Sequence, residues 1–192
     1  MKKISFVLFA AVSILLTACG GGSADKSNTV STPEAPIPAA PNAIDNHFTV
    51  ADLVDLDISA DGIPVIVKAP KEAKIIKYAV EHSVVVYGGK FFKMTYSSMD
   101  GKVADNINMM RMMATNKEMN TSFNKLESDS PNGFLKSDTK GKLNFIYGVL
   151  AGGKTVIITD GMPIDISPDK FTDYTADDIK LMFEAAKGAK AK

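Results

Sequence analysis

Between residues 106 and 113 the chain reads Asn-Ile-Asn-Met-Met-Arg-Met-Met, and Met119 follows soon after. A thioether sulfur is a soft ligand suited to Cu(I), and methionine is also a flexible filler of irregular apolar gaps. At helical spacing the residues of this run divide. Met110 continues a stripe with Val103, Ile107 and Ala114 at i, i+4, i+7 and i+11, and Met113 lies at its edge. Met109 and Met112 turn to another side, which they share with Asp105 and Asn116. Three uses stay open: core filling, an apolar surface through Met109 and Met112 for a protein partner, and a Cu(I) site through Met109, Met112 and Met113. No histidine accompanies the cluster in sequence, which counts against the metal.

Residues 148–155, Gly-Val-Leu-Ala-Gly-Gly-Lys-Thr, satisfy the string G-x-x-x-x-G-K-[ST] of a phosphate-cradling loop. That chemistry needs a helix behind the loop, whose N-terminal amides face the phosphates. Thr155-Val156-Ile157-Ile158-Thr159 is β-branched and predicts a strand there, so the string reads as a glycine hairpin. Asp55, Asp57 and Asp61 suggest calcium. Counting an EF-hand loop from Asp55, however, puts Ala60 at the glycine position and Ile66 at the glutamate position. The alternating acids fit the solvated face of a strand. His47 and His82 have no triad partners in sequence, and neither G-x-S-x-G nor H-E-x-x-H occurs. No cofactor and no catalytic activity is expected; a hydrolase remains the weaker alternative to binding.

The single cysteine, Cys19, rules out disulfides within the chain, four-cysteine zinc sites and paired-thiol redox chemistry. It follows Lys2, Lys3 and an apolar run over residues 4–16, short for a bilayer crossing and right for a signal-peptide core. Leu16-Thr17-Ala18-Cys19 resembles the lipobox of bacterial lipoproteins. The resemblance implies cleavage before Cys19 and a diacylglycerol on its sulfur, against the alternative of an ordinary secretory signal with an incidental cysteine. Each buried lipid methylene contributes about 0.8 kcal/mol, and two chains hold where one is marginal. Gly20 stands where an acidic residue would resemble an inner-membrane retention signal, which favours the outer membrane.

Residues 20–46 are Gly, Ser, Ala, Thr, Asn and Pro with scattered charge, and they lack the apolar surface needed to offset ordering entropy. They read as a tether, on average roughly 30 Å end to end and longer where Pro33, Pro36, Pro38 and Pro41 stiffen it. Lysine plus arginine equals aspartate plus glutamate at 22 each, and Arg111 is the only arginine. No basic footprint for nucleic acid is present. Lys2 and Lys3 precede Cys19 and no acid does, so cleavage would leave 20 cations against 22 anions.

The remaining chain alternates turn residues with Val-, Ile-, Phe- and Tyr-rich runs. Strands are predicted at 54–59 and 64–68 around Asp61-Gly62, and at 83–87 and 91–96 around Gly88-Gly89. Further pairs lie at 123–127 and 134–136 around Pro131-Asn132-Gly133, and at 142–150 and 155–159 around Gly152-Gly153. One helix is predicted after Asp100-Gly101. A second carries Ile179, Met182, Phe183 and Ala186, with Thr175 as N-cap, Asp177 and Asp178 in its first turn and Gly188 as its stop. The fold class is α+β, an antiparallel sheet built from hairpins with two amphipathic helices packed on it. The opening Gly62-Ile63-Pro64-Val65-Ile66-Val67-Lys68-Ala69-Pro70 and the closing helix resemble the PsbP/Mog1-like fold, a likeness that carries no function with it.

The expected organisation is therefore a signal peptide over 1–18, lipid-modified Cys19 and a disordered linker over 19–46, an α+β domain over 47–188 and a disordered tail over 189–192. The expected partners are a membrane, through the lipid, and a protein of the bacterial envelope.

Overall fold

Gly152 and Gly153 adopt φ of 58° and 77°. This left-handed pair closes a two-residue type I′ hairpin, a conformation that a side chain would resist. The computed structural model describes residues 47–78, 82–161 and 174–192. Among them, besides two single 3-10 turns at Val50–Asp52 and Ser59–Asp61, are ten strands and two α-helices. In chain order these are β1 (Leu53–Asp57), β2 (Val65–Pro70), β3 (Lys74–Tyr78), β4 (Ser83–Gly88), β5 (Phe92–Met99), α1 (Val103–Thr115), β6 (Phe123–Ser130), β7 (Gly133–Asp138), β8 (Leu143–Ala151), β9 (Lys154–Thr159), α2 (Ala176–Lys187) and β10 (Lys190–Ala191). The α+β class and its antiparallel hairpins are as the sequence predicts. Residues 148–155 form the end of β8, the glycine turn and the start of β9. A strand therefore stands where a phosphate loop needs a helix.

Three features differ from expectation. The strands form two sheets: β1-β2-β10, and a larger one in the order β3-β4-β5-β9-β8-β7-β6. β3, unforeseen, occupies an edge of the larger sheet. The tail expected to be disordered over 189–192 instead supplies β10, with Lys190 opposite Ile66 and Ala191 opposite Val65. Its partner groups lie in β1: Lys190 Nζ is 3.1 Å from Asp55 Oδ2, and Lys192 Nζ pairs with Asp57. Backbone pairing and these contacts across the small sheet order a stretch with no apolar side chain larger than alanine.

The two helices lie on opposite faces of the larger sheet. Pleating sends alternate residues to opposite sides. Phe145 and Tyr147 of β8 accordingly meet Phe183 of α2, with Val156 and Ile158 of β9 in the same core. The intervening residues Ile146 and Ile157 pack with Ile107, Met110 and Phe134 beneath α1. The α2 side holds the larger core, which β2 closes through Val65, Val67 and Ala69.

Both helix starts are anchored. Thr175 and Asp178 form a reciprocal capping box: Asp178 Oδ2 accepts from the Thr175 amide at 2.8 Å, and Thr175 Oγ1 accepts from the Asp178 amide at 3.3 Å. At α1, Asn106 Nδ2 donates to Asp100 O at 3.0 Å and Thr155 Oγ1 donates to Gly101 O at 2.9 Å. These bonds tie the entry of α1 to strand β9.

Candidate functional site

The inner face of α1 is packed. Ile107 is fully buried, and Val103, Met110 and Ala114 lie against the same cluster. At Gly148 on β8, an added Cβ would come within 3.0 Å of Val103 and 3.2 Å of Ile107, so the glycine lets the helix side chains sit close against the strand. Arg111 fixes the flank: its Nε lies 2.8 Å from Asp129, its Nη2 donates to Ser130 O at 2.6 Å, and its guanidinium stands 5.6 Å from the Phe134 ring centre. The β6–β7 hairpin is thereby bound to the helix.

The outer face carries the methionines. Met109, Met112 and Met113 are 44%, 72% and 51% exposed, so the filler reading applies to Met110 and not to these three. A fourth joins them. Asn116 caps the helix and turns the chain back: its carbonyl accepts from the Met119 and Asn120 amides at 3.1 and 2.8 Å, and its side chain accepts from the Glu118 amide at 2.9 Å. Asn120 Nδ2 closes the turn onto Ala114 O at 2.8 Å. Met119, 65% exposed, thus enters the same depression, a cavity of about 450 Å³ with Asp105, Asn108 and Asn116 on its polar rim. The helical period placed Met109 and Met112 correctly. Met119 was beyond it, because the asparagine turn that brings it back is tertiary detail.

Exposed side chains without packing partners contribute little to stability. Met112→Lys is accordingly expected to change unfolding free energy by less than about 0.5 kcal/mol. A urea titration checks this, and a loss above about 2 kcal/mol would restore Met112 to the core.

A second cavity, of about 570 Å³, lies between Asp61-Gly62-Ile63-Pro64 and one end of the larger sheet, where Lys77, His82, Ser83, Ser98 and Lys154 line it. Lys77 Nζ is 2.9 Å from Asp61 and Lys154 Nζ is 3.1 Å from Asp100. Ser83 Oγ is buried and, among the described residues, makes no hydrogen bond to a base that could activate it. The calcium reading of Asp55, Asp57 and Asp61 finds no support: all three carboxylates pair with lysines. Among the described residues no group of three or more His, Cys, Asp or Glu side chains could hold a metal.

Two titratable clusters were not legible in the sequence. His47 Nδ1 lies 2.7 Å from Asp178 Oδ1, with its ring stacked on Phe91 at 3.9 Å between centres. Since Asp178 also caps α2, the pair fastens the domain's first described residues to that helix. Lys93 of β5 is 3% exposed, with Nζ 5.6 Å from the Tyr174 ring centre. Burial pushes its pKa down to about 8, against the opposing pull of the Asp160 carboxylate. Asp160 accepts from Asn144 Nδ2 at 2.8 Å and from the Phe145 amide at 3.1 Å, and burial still raises its pKa.

Cys19 lies outside the described residues. Among those residues no helix is long and apolar enough to cross a membrane. Compared with protein-family models, with curated proteins and with solved structures, the chain matches none.

Proposed function

We propose that this protein is a lipid-anchored bacterial envelope lipoprotein whose single α+β domain binds rather than catalyses, and whose working surface is the outer face of α1. The observation that carries the binding role is the gathering of Met109, Met112, Met113 and Met119 around one depression, all exposed. Among the described residues the other exposed large apolar side chains are Val50 and Val54, near the start of the domain, and Leu150 on β8. A contiguous apolar patch with a polar rim is the usual mark of an interaction site.

The anchor rests on Leu16-Thr17-Ala18-Cys19 behind a charged and apolar leader. In this reading residues 1–18 are removed, Cys19 carries the lipid, and residues 20–46 hold the domain clear of the headgroups. Gly20 favours the outer membrane. The PsbP/Mog1-like resemblance adds nothing to this role, since a fold of that kind does not specify a ligand.

Cys19→Ser tests the anchor. Diacylated chain should partition with membranes and enter the detergent phase, whereas the serine variant should not be acylated and should leave that fraction. Retention of Cys19→Ser in the membrane fraction at the parent's level would refute the lipid anchor.

A further inference from the structure

We propose that the methionine depression on α1 is a binding site for Cu(I), held by the thioether sulfurs of Met109, Met112, Met113 and Met119. The proposal rests on the reading of this face as the binding surface and names its ligand. Three of the four stand at i, i+3 and i+4 on one helix, positions that are neighbours on a helical surface. The fourth is returned to them by the Asn116 turn, which is closed by hydrogen bonds from the Met119, Glu118 and Asn120 amides. Methionine side chains have three rotatable bonds and reach well beyond their Cβ positions, so sulfurs from neighbouring sites can converge on one ion.

Chemistry separates this site from a plain apolar docking patch. Leucine, isoleucine or phenylalanine would serve an apolar partner as well, and none of them lines the depression. Every large apolar side chain there carries a soft sulfur. Soft thioether sets select Cu(I), whereas imidazole and carboxylate sets suit divalent ions. Asp105 supplies the one carboxylate at the rim, too few for a hard cation and enough to offset a monovalent charge. Arg111, the cation on the same helix, is held against Asp129 and Phe134. No electron transfer is involved: the metal enters and leaves as Cu(I).

The test uses the full chain in detergent with Cys19→Ser as background, because a free thiol would compete for the metal. Cu(I) is added anaerobically under ascorbate against the chelator bicinchoninate, with methionine methyl groups labelled for NMR. One Cu(I) per chain is expected, with shifts at Met109, Met112, Met113 and Met119 and none at the buried Met94 and Met182. Replacing all four by leucine keeps the face apolar and removes the sulfur; it should weaken Cu(I) by at least ~100-fold and leave the melting transition in place. Unmoved methyl resonances at stoichiometric Cu(I), or a four-leucine variant that binds within about threefold of its parent, would overturn the site. Neither outcome bears on the anchor, whose own failure is retention of Cys19→Ser in the membrane fraction.

Discussion

Gly133→Ala should destabilise the domain by about 3 kcal/mol, the upper range for forcing atoms into a packed interior. A Cβ at this position would lie 2.6 Å from the Ile146 carbonyl oxygen and 2.9 Å from Tyr147 Cα, so the backbone of β8 would have to move. Backbone in the interior of a seven-stranded sheet has few ways to yield. Gly148→Ala provides the contrast: its closest neighbours are the side-chain tips of Val103 and Ile107 at 3.0 and 3.2 Å. Tips can shift by a few tenths of an ångström, and the expected cost is below about 1 kcal/mol. Urea unfolding of the two variants measures the difference, and equal destabilisation would contradict the argument. Gly133 also opens β7 beside the turn that holds α1, since Ser130 O accepts from Arg111 and Asn132 O accepts from the Gly148 amide at 2.7 Å. The variant should therefore disturb the methionine face as well as the sheet.

What made the hairpins legible is local. Turn residues with left-handed backbones, such as Gly89 and Gly152-Gly153, stop one strand and aim the next, and their chemistry is visible in the sequence. α2 was legible for the same reason, because its N-cap, its apolar stripe and its terminal glycine all lie within fourteen residues of one another. β3 was missed because Lys74-Ile75-Ile76-Lys77-Tyr78 offers only two adjacent apolar residues and a charge on each side. Its order comes from pairing with β4, in register from Lys74 opposite Tyr87 to Tyr78 opposite Ser83. β10 is shorter still, and it depends on strands more than a hundred residues earlier. The division into two sheets is likewise a matter of which edges meet, and no periodicity encodes that.

The candidate site shows the same boundary. A helical period of 3.6 sorts Met110 to the core and Met109 and Met112 away from it, and the burial of the stripe agrees. Once the helix stops at Asn116 the period says nothing further, and Met119 is placed by hydrogen bonds. His47 and Asp178 are 131 residues apart, so neither residue's neighbours announce their pairing. Lys93 is the least legible of all. It sits between Phe92 and Met94 in a run that alternation reads as one residue facing out, yet it is buried, with Tyr174 over its ammonium.

Covering that lysine reverses the usual alkaline behaviour of the domain. Lys93 titrates near 8 when folded and near 10.5 when unfolded, so between those values the unfolded chain binds more protons. On its own this group therefore makes stability rise with pH across that window, by roughly 2 kcal/mol between pH 8 and 10. Tyr87, Tyr96 and Tyr174 act in the opposite direction, because burial raises their folded pKa values above the ordinary 10 and ionising the unfolded chain draws stability away. The two slopes meet near pH 10, where the stability maximum is expected. Asp160 adds a gentler trend at the acid end: its raised folded pKa means that the cost of its buried charge sets in as pH climbs above the ordinary carboxylate value. Lys93→Met removes the titrating group and should abolish the alkaline rise. Lys93→Arg keeps a permanent charge and should be less stable than the parent at pH 10 by more than it is at pH 7. Urea midpoints at pH 7, 8 and 10 for the three proteins decide the matter. A parent stability that falls steadily over that range, or a methionine variant that keeps the rise, would show that Lys93 is not the group that controls it.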